Sequence, residues 1–372
     1  MAGKTTAAAE MEVARYVSEK LLIPSVYMMG DPEKIRYHRD GASSLLTQDE
    51  LEKRYDAGDF TISDMFILKA LFSYSFAPTD AVMELVNFWS RREMLEASKE
   101  GRVKRAIPYI EHYNDTWKSL CGLVRARLCE KFAFYPAFPK PGRENKPEEI
   151  FKVGGASIRM VRKVLNDKVT KYDPQDAFCN PEDAFAYALN ASTIAGFLKS
   201  PFIRSLNFKQ LLKIDGVTHK INCVMDMNPE GYDGDEEGDT RLIFEGITFQ
   251  PNQYVVTKQS RYDTVSERVV ELANVAGKWN EEKNTYLVFT VEDAAGLEML
   301  INAIFEKAPF IADKCIFTSG NVIFSSQCET HPENLKKCFV RMNIKEDGSG
   351  FSVCGVAGHY FLEIDDSEVT QL

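Results

Sequence analysis

The sequence is poor in the residues that carry most recognisable chemistry. It has 8 Cys in 372 residues, too few for a disulfide scaffold, so reduced thiols are expected. Its 5 His (38, 112, 219, 331 and 359) form no close pair. It lacks a Gly-x-x-x-x-Gly-Lys phosphate loop, Gly-x-Gly-x-x-Gly, His-Glu-x-x-His and Gly-x-Ser-x-Gly, which weakens the case for the enzyme classes built on them. No apolar run is long enough to cross a bilayer as a helix, and Met1 to Glu12 has neither the apolar stretch nor the cleavage pattern of a secretory signal. A protein inside the cell, in the cytoplasm or in an assembled particle, with no membrane partner, is expected. No internal repeat or low-complexity tract is present.

Charge is present in quantity and unevenly placed. The net charge is −10, yet residues 91–171 hold 19 Lys/Arg against 10 Asp/Glu, net +9. Residues 1–90 are net −5 and residues 172–372 net −14. A block of one sign raises the local potential and recruits oppositely charged partners. Two readings compete: the block binds an anionic partner, or it pairs with the acidic carboxy-terminal half of the same chain.

Periodicity divides the chain. Helices are expected at Ala7–Leu22, from the capping box Thr47-Gln48-Asp49-Glu50, at Ser63–Tyr74, Ala81–Glu100 and Tyr109–Phe132, with Trp117, Leu120, Val124 and Leu128 on one buried stripe. Pro136, Pro139, Pro141, Gly142 and Pro147 then interrupt any helix and mark a linker. Helices resume at Ser157–Val169, Glu182–Leu198 and Phe208–Leu212. Near Asp215 the period changes. Strands are expected at Lys220–Met225, Arg241–Phe249, Tyr254–Thr257, Tyr286–Phe289, Asn321–Ser325, Phe339–Ile344, Phe351–Val356 and Tyr360–Ile364, with helices at Thr264–Ala276 and Glu292–Phe305. The expected fold class is α+β: a helical amino-terminal half, then a mixed, mainly antiparallel α+β domain. The division read from the sequence is a helical domain 1–135, a Pro-rich linker 136–147, a helical region 148–213 carrying a basic helix, and an acidic α+β domain 214–372.

The basic block supplies the candidate site. Lys118 and Arg125, and Arg127 and Lys131, have spacings that align side chains on a helix face. Arg159, Arg162 and Lys163 oppose the apolar stripe Ile158, Val161 and Leu165. Between the two lie Phe134, Tyr135 and Phe138, with Lys140, Arg143 and Lys146. Phosphates attract cations and bases stack on flat rings, so these residues point to a single-stranded nucleic acid, RNA foremost. No zinc-finger spacing or RNA-binding strand signature accompanies them.

Two metal-like patterns are weaker. Asp226, Asn228, Glu230, Gly231 and Glu237 fall at positions one, three, five, six and twelve of a calcium loop, but Pro229, strand-like flanks and Asp233 at position eight argue for a solvated hairpin loop. Cys328, His331, Cys354 and His359 do not have standard zinc spacing. No metal and no cofactor are expected. The leading expectation is a non-enzymatic, self-associating nucleic-acid-binding protein of nucleoprotein or coat type. The alternatives are a scaffold that assembles without nucleic acid, and an enzyme using the carboxylates of 226–239.

Overall fold

The computed structural model describes residues 27, 38–40, 47–100, 107–136, 139, 142–154, 157–166, 183–228, 230–249, 258–319, 339–345 and 350–355. The helix at Ala7–Leu22, the strands at Tyr254–Thr257, Asn321–Ser325 and Tyr360–Ile364, and the residues Phe138, Lys140, Cys328, His331 and His359 lie outside them. The chain forms two compact units, one spanning Glu33–Lys199 and the other built from Ser200 onward. It is α+β, helical in its amino-terminal half and mixed, mainly antiparallel, in its carboxy-terminal one. No helix among the described residues is long and apolar enough to cross a membrane.

In the amino-terminal unit, β1 is His38–Asp40, α1 Gln48–Asp56, α2 Ile62–Tyr74, β2 Phe76–Ala77 and α3 Thr79–Glu100. They are followed by α4 Tyr113–Arg125, β3 Cys129–Phe134, β4 Glu148–Val153, α5 Ser157–Val164 and α6 Asp183–Phe197. Capping boxes start two helices: Thr47 with Glu50, and Thr61 with Asp64. Helix α2 is apolar nearly all round (Met65, Phe66, Ile67, Leu68, Leu71 and Phe72 are buried) and forms the centre of the unit. Strands pair antiparallel in the order β1-β3-β4-β2.

Two expectations fail here. The helix read over Tyr109–Phe132 ends at Arg125, because Arg127 takes a left-handed φ of 64° and the chain continues as a strand in which Phe132 and Phe134, two residues apart, are buried. Residues 136–147 connect the paired strands β3 and β4, with Phe134 opposite Glu148, so the Pro-rich stretch is a hairpin connection within one unit.

The carboxy-terminal unit holds β5 Ile203–Ile214, β6 Val217–Met227, β7 Thr240–Ile247, α7 Lys258–Asn280, β8 Thr285–Val291 and α8 Ala294–Lys307. It closes with β9 Cys315–Ser319, β10 Val340–Ile344 and β11 Phe351–Gly355. One sheet runs β11-β10-β9-β8-β7-β6-β5. Strands β7, β8 and β9 are parallel and the outer pairings antiparallel, because α7 and α8 serve as crossovers while the flanks are hairpins. Val269, Leu272 and Ala276 of α7 and Leu300, Ile301 and Ile304 of α8 share a core with Ile243, Leu287, Phe289 and Phe317 of the sheet.

The expected helix at Phe208–Leu212 is the middle of β5. The signal lies two residues further on, where Asp215 and Gly216 have φ of 50° and 85°, a two-residue turn whose twist suits a hairpin. A boundary at 213/214 would cut that hairpin.

Past the end of β8, the Glu292 carboxylate is buried and accepts the Phe249 N–H at 2.5 Å, which joins the exits of β7 and β8. Its second oxygen, Oε2, has no partner among the described residues, and burial pushes the group up to about 7. A raised carboxyl stabilises the fold fully below its unfolded value near 4.5, and that contribution drains away as pH rises through about 7. The loss amounts to about 3 kcal/mol. Glu292→Gln keeps the acceptor and removes the charge. Urea unfolding of the wild type and this variant at several pH values between those limits should show the variant gaining on the wild type by that amount, and parallel pH curves would contradict it.

Candidate nucleic-acid interface

Helix α4 buries Thr116, Leu120, Leu123 and Val124 and packs against α2, α3 and β3. Its far side carries Lys118, whose side chain is 71% exposed and only loosely paired with Asp115 at 3.9 Å, and exposed Arg125. Trp117 is not on the buried stripe where the sequence placed it. It is 37% exposed, and its indole N–H donates to Glu149 Oε2 at 2.6 Å, whose other oxygen accepts from Lys131 at 3.1 Å. Glu149 thus ties the helix to both strands of the hairpin, and Lys131 is engaged by it.

The chain turns sharply after α4. Arg127 N–H bonds back to the Val124 carbonyl and Leu128 N–H to that of Leu123. The Leu128 carbonyl then accepts two bonds, from Gly154 N–H at 2.9 Å and from the Ser157 hydroxyl at 2.6 Å. A Cβ at Gly154 would sit 3.1 Å from that carbonyl, a tight contact, so this approach of β4's exit favours glycine. The result sets the start of α5 against the end of α4. Ile158, Met160, Val161 and Leu165 face inward, and Arg159, Arg162 and Lys163 face out. Arg125, Arg127, Arg159 and Arg162 are therefore all exposed around one corner, and Arg125 and Arg159 have no acidic partner among the described residues. Lys163 is paired with Glu52 at 2.6 Å.

The aromatic half of the expected site is largely core. Phe134 is buried edge-on against Phe185 of α6, with centroids 4.9 Å apart, and Phe132 lies 5.8 Å from Phe76. Alternation along β3 explains both: Phe132 and Phe134, two residues apart, share the buried face of the strand. Phe134 has no ring face to offer a base. Tyr135, one residue on, is 45% exposed, and Arg143 pairs loosely with Glu148 at 3.7 Å at the hairpin base. The exposed rings that sequence reading missed are Tyr109, Tyr113 and Trp117. The i, i+4 spacing of Tyr113 and Trp117, flanking rather than within the Leu120–Val124 stripe, was the available signal.

Three carboxylates of the acidic loop of the other unit, Asp226, Glu236 and Asp239, are paired within that unit. Asp226 receives Arg241 at 2.8 Å and lies 3.5 Å from Lys283. Asp239 receives Arg204 at 2.6 Å, Lys283 at 2.7 Å and Asn228 at 2.8 Å. Burial would raise the Asp239 carboxyl, but hydrogen bonds from Lys283, Asn228 and Arg204 hold it below its ordinary value. Asn228, which the calcium reading made a ligand, spends its amide on Asp239 and the Asp235 carbonyl. No group of three or more metal-binding side chains occurs among the described residues.

Asp239→Ala should cost about 2–3 kcal/mol in chemical unfolding, because Arg204 and Lys283 lose their shared partner while keeping some access to solvent. Glu237→Ala, on the exposed side of the same loop, should stay within about 0.5 kcal/mol. Equal effects would mean that the loop, rather than the ion network, carries the stability. No family model, no curated protein and no solved structure matches the chain.

Proposed function

We propose that the chain binds nucleic acid by neutralising phosphates with the exposed cations of its amino-terminal unit, as the nucleoprotein reading of the sequence anticipates. The observation that carries it is the corner at Leu128, where Arg125, Arg127, Arg159 and Arg162 are gathered in solvent. Like charges held together by packing raise the potential that a polyanion relieves. The competing use of these cations, pairing with the acidic half of the chain, has less to draw on, since Asp226, Asp239 and Glu236 are held by Arg204, Arg241 and Lys283. The same pairings leave fewer free carboxylates at 226–239 for catalysis, or for a head-to-tail contact between copies, so self-association rests on the segregation of net charge alone. The stacking part of the single-strand expectation is weaker, with Phe134 in the core.

Affinity for a nucleic acid should fall steeply with salt. Replacing Arg125 and Arg159 together with Ala should flatten the slope of log affinity against log salt by about 0.7–0.9 for each phosphate that is no longer neutralised. Both side chains are exposed, so the melting temperature should hold. Lys213→Ala, exposed on the β5–β6 hairpin, is the control and should change nothing. Absence of any salt-sensitive binding at about 50 mM salt would end this reading.

A further inference from the structure

We infer that the nucleic acid is duplex DNA, with α4 lying in its major groove and the β3–β4 hairpin alongside. This rests on the phosphate-binding reading above and adds what that reading leaves open, the class of the ligand.

The argument starts with shape. Helix α4 has 13 residues, about 20 Å of length, and a helix with its side chains is about 10–12 Å across. The major groove of B-form DNA is about 12 Å wide. The buried face of α4 is taken up by its packing on α2, α3 and β3, so Asn114, Lys118, Cys121 and Arg125, spaced four, three and four residues apart, line the opposite side. Asn, Lys and Arg are the side chains that pair with the edges of adenine and guanine in that groove. The Lys118–Asp115 pair is exposed on both sides and exchanges readily for a base or a phosphate.

A reading helix must be held rigidly, and α4 is. The segment entering it is fastened along α3: the buried Asn87 side chain donates to the Ile110 carbonyl at 2.9 Å and accepts the Ile110 N–H at 2.8 Å, and Ser90 donates to the Ile107 carbonyl at 3.0 Å. The hairpin follows at once. Glu149, bonded to both Trp117 and Lys131, fixes it against the amino-terminal half of α4; in its connection Arg143 stays with Glu148 and Lys146 is exposed. At the far end of α4 stand Arg125, Arg127 and Arg159. These cations stand where a phosphate strand bordering a groove would run.

The other nucleic acids fit less well. The major groove of A-form RNA is deep and too narrow for a helix. A single strand needs ring faces; Phe132 and Phe134 are buried and Trp117 is held by Glu149, which leaves Tyr109, Tyr113 and Tyr135 exposed and makes the separate strands the competing arm of the test.

The test uses the full chain with labelled random-sequence DNA duplex, RNA duplex of the same sequence and the separate strands, together with selection of preferred sequences from a randomised DNA duplex pool. DNA duplex should bind tightest, and the selected pool should converge on a short motif. Asn114→Ala and Lys118→Ala should relax that motif and lower discrimination against mismatched sites by about 10-fold each. Both residues are exposed, and unchanged thermal melting confirms the fold. Arg125→Ala with Arg159→Ala should instead weaken all duplexes alike. If DNA and RNA duplexes bind equally, if single strands bind best, or if the α4 variants leave the selected motif unchanged, α4 is not a groove reader, while the phosphate reading survives. Failure to bind any of these probes removes both.

Discussion

The Leu128 carbonyl is the point on which the amino-terminal unit turns. It takes an N–H from Gly154 and a hydroxyl from Ser157, and so holds four elements together: the end of α4, the start of β3, the end of β4 and the start of α5. A buried carbonyl with two partners is worth more than either bond alone, because losing one partner also strands a buried Ser157 hydroxyl. The geometry has a cost. Arg127 is held at positive φ, a conformation that a non-glycine side chain resists, and the close approach at Gly154 leaves little room for a Cβ. What this corner yields is placement. Cations separated by more than thirty residues in sequence, Arg125 and Arg159, come to the same edge of the unit.

The carboxy-terminal unit solves a different problem. A sheet that changes from parallel to antiparallel pairing on both sides has long hairpins at one flank, and β5–β6 is held there by charge as well as by backbone bonds. Asp226 and Asp239 gather Arg204, Arg241 and Lys283, and the Arg241 guanidinium also lies 4.9 Å from the centre of the Trp279 ring. The loop between β6 and β7 folds over Asn228 so tightly that a Cβ at Gly234 would fall 1.9 Å from its Oδ1. Asp226 and Asn228, two members of what looks like a ligand set in the sequence, are thereby engaged by the fold.

Legibility in the sequence followed the range of the forces involved. The capping box at Thr47, the apolar α2, the two crossover helices and the strands β10 and β11 depend on neighbours within a few residues, and the pattern shows them. Strands β3 and β5 were hidden, because Cys129–Phe134 continues an apolar helical period and Phe208–Leu212 is too short to tell the two periods apart. Only the chain reversals, left-handed Arg127 and the Asp215-Gly216 turn, separate the readings. In the candidate site, the outward face of α5 was legible from its own stripe. The burial of Phe134 was not, since it depends on Phe185, fifty-one residues away.

Charge shows the same distinction between composition and arrangement. Opposite net charges on two stretches of chain invite the inference that they pair, yet Coulomb attraction at close range favours whichever partners the fold brings within a few ångströms. Here those partners are local to each unit: Lys131 with Glu149, Lys163 with Glu52, Arg143 with Glu148, and Arg204, Arg241 and Lys283 with Asp226 and Asp239. A basic residue with a carboxylate beside it has already exchanged its counterions and gains little from a phosphate. One held away from carboxylates by the backbone keeps its counterions, and their release drives polyanion binding. Arg125 and Arg159 are in the second condition and Lys131 and Lys163 in the first, so the excess of +9 over residues 91–171 overstates the charge open to a polyanion, and the proposed site narrows to the Leu128 corner.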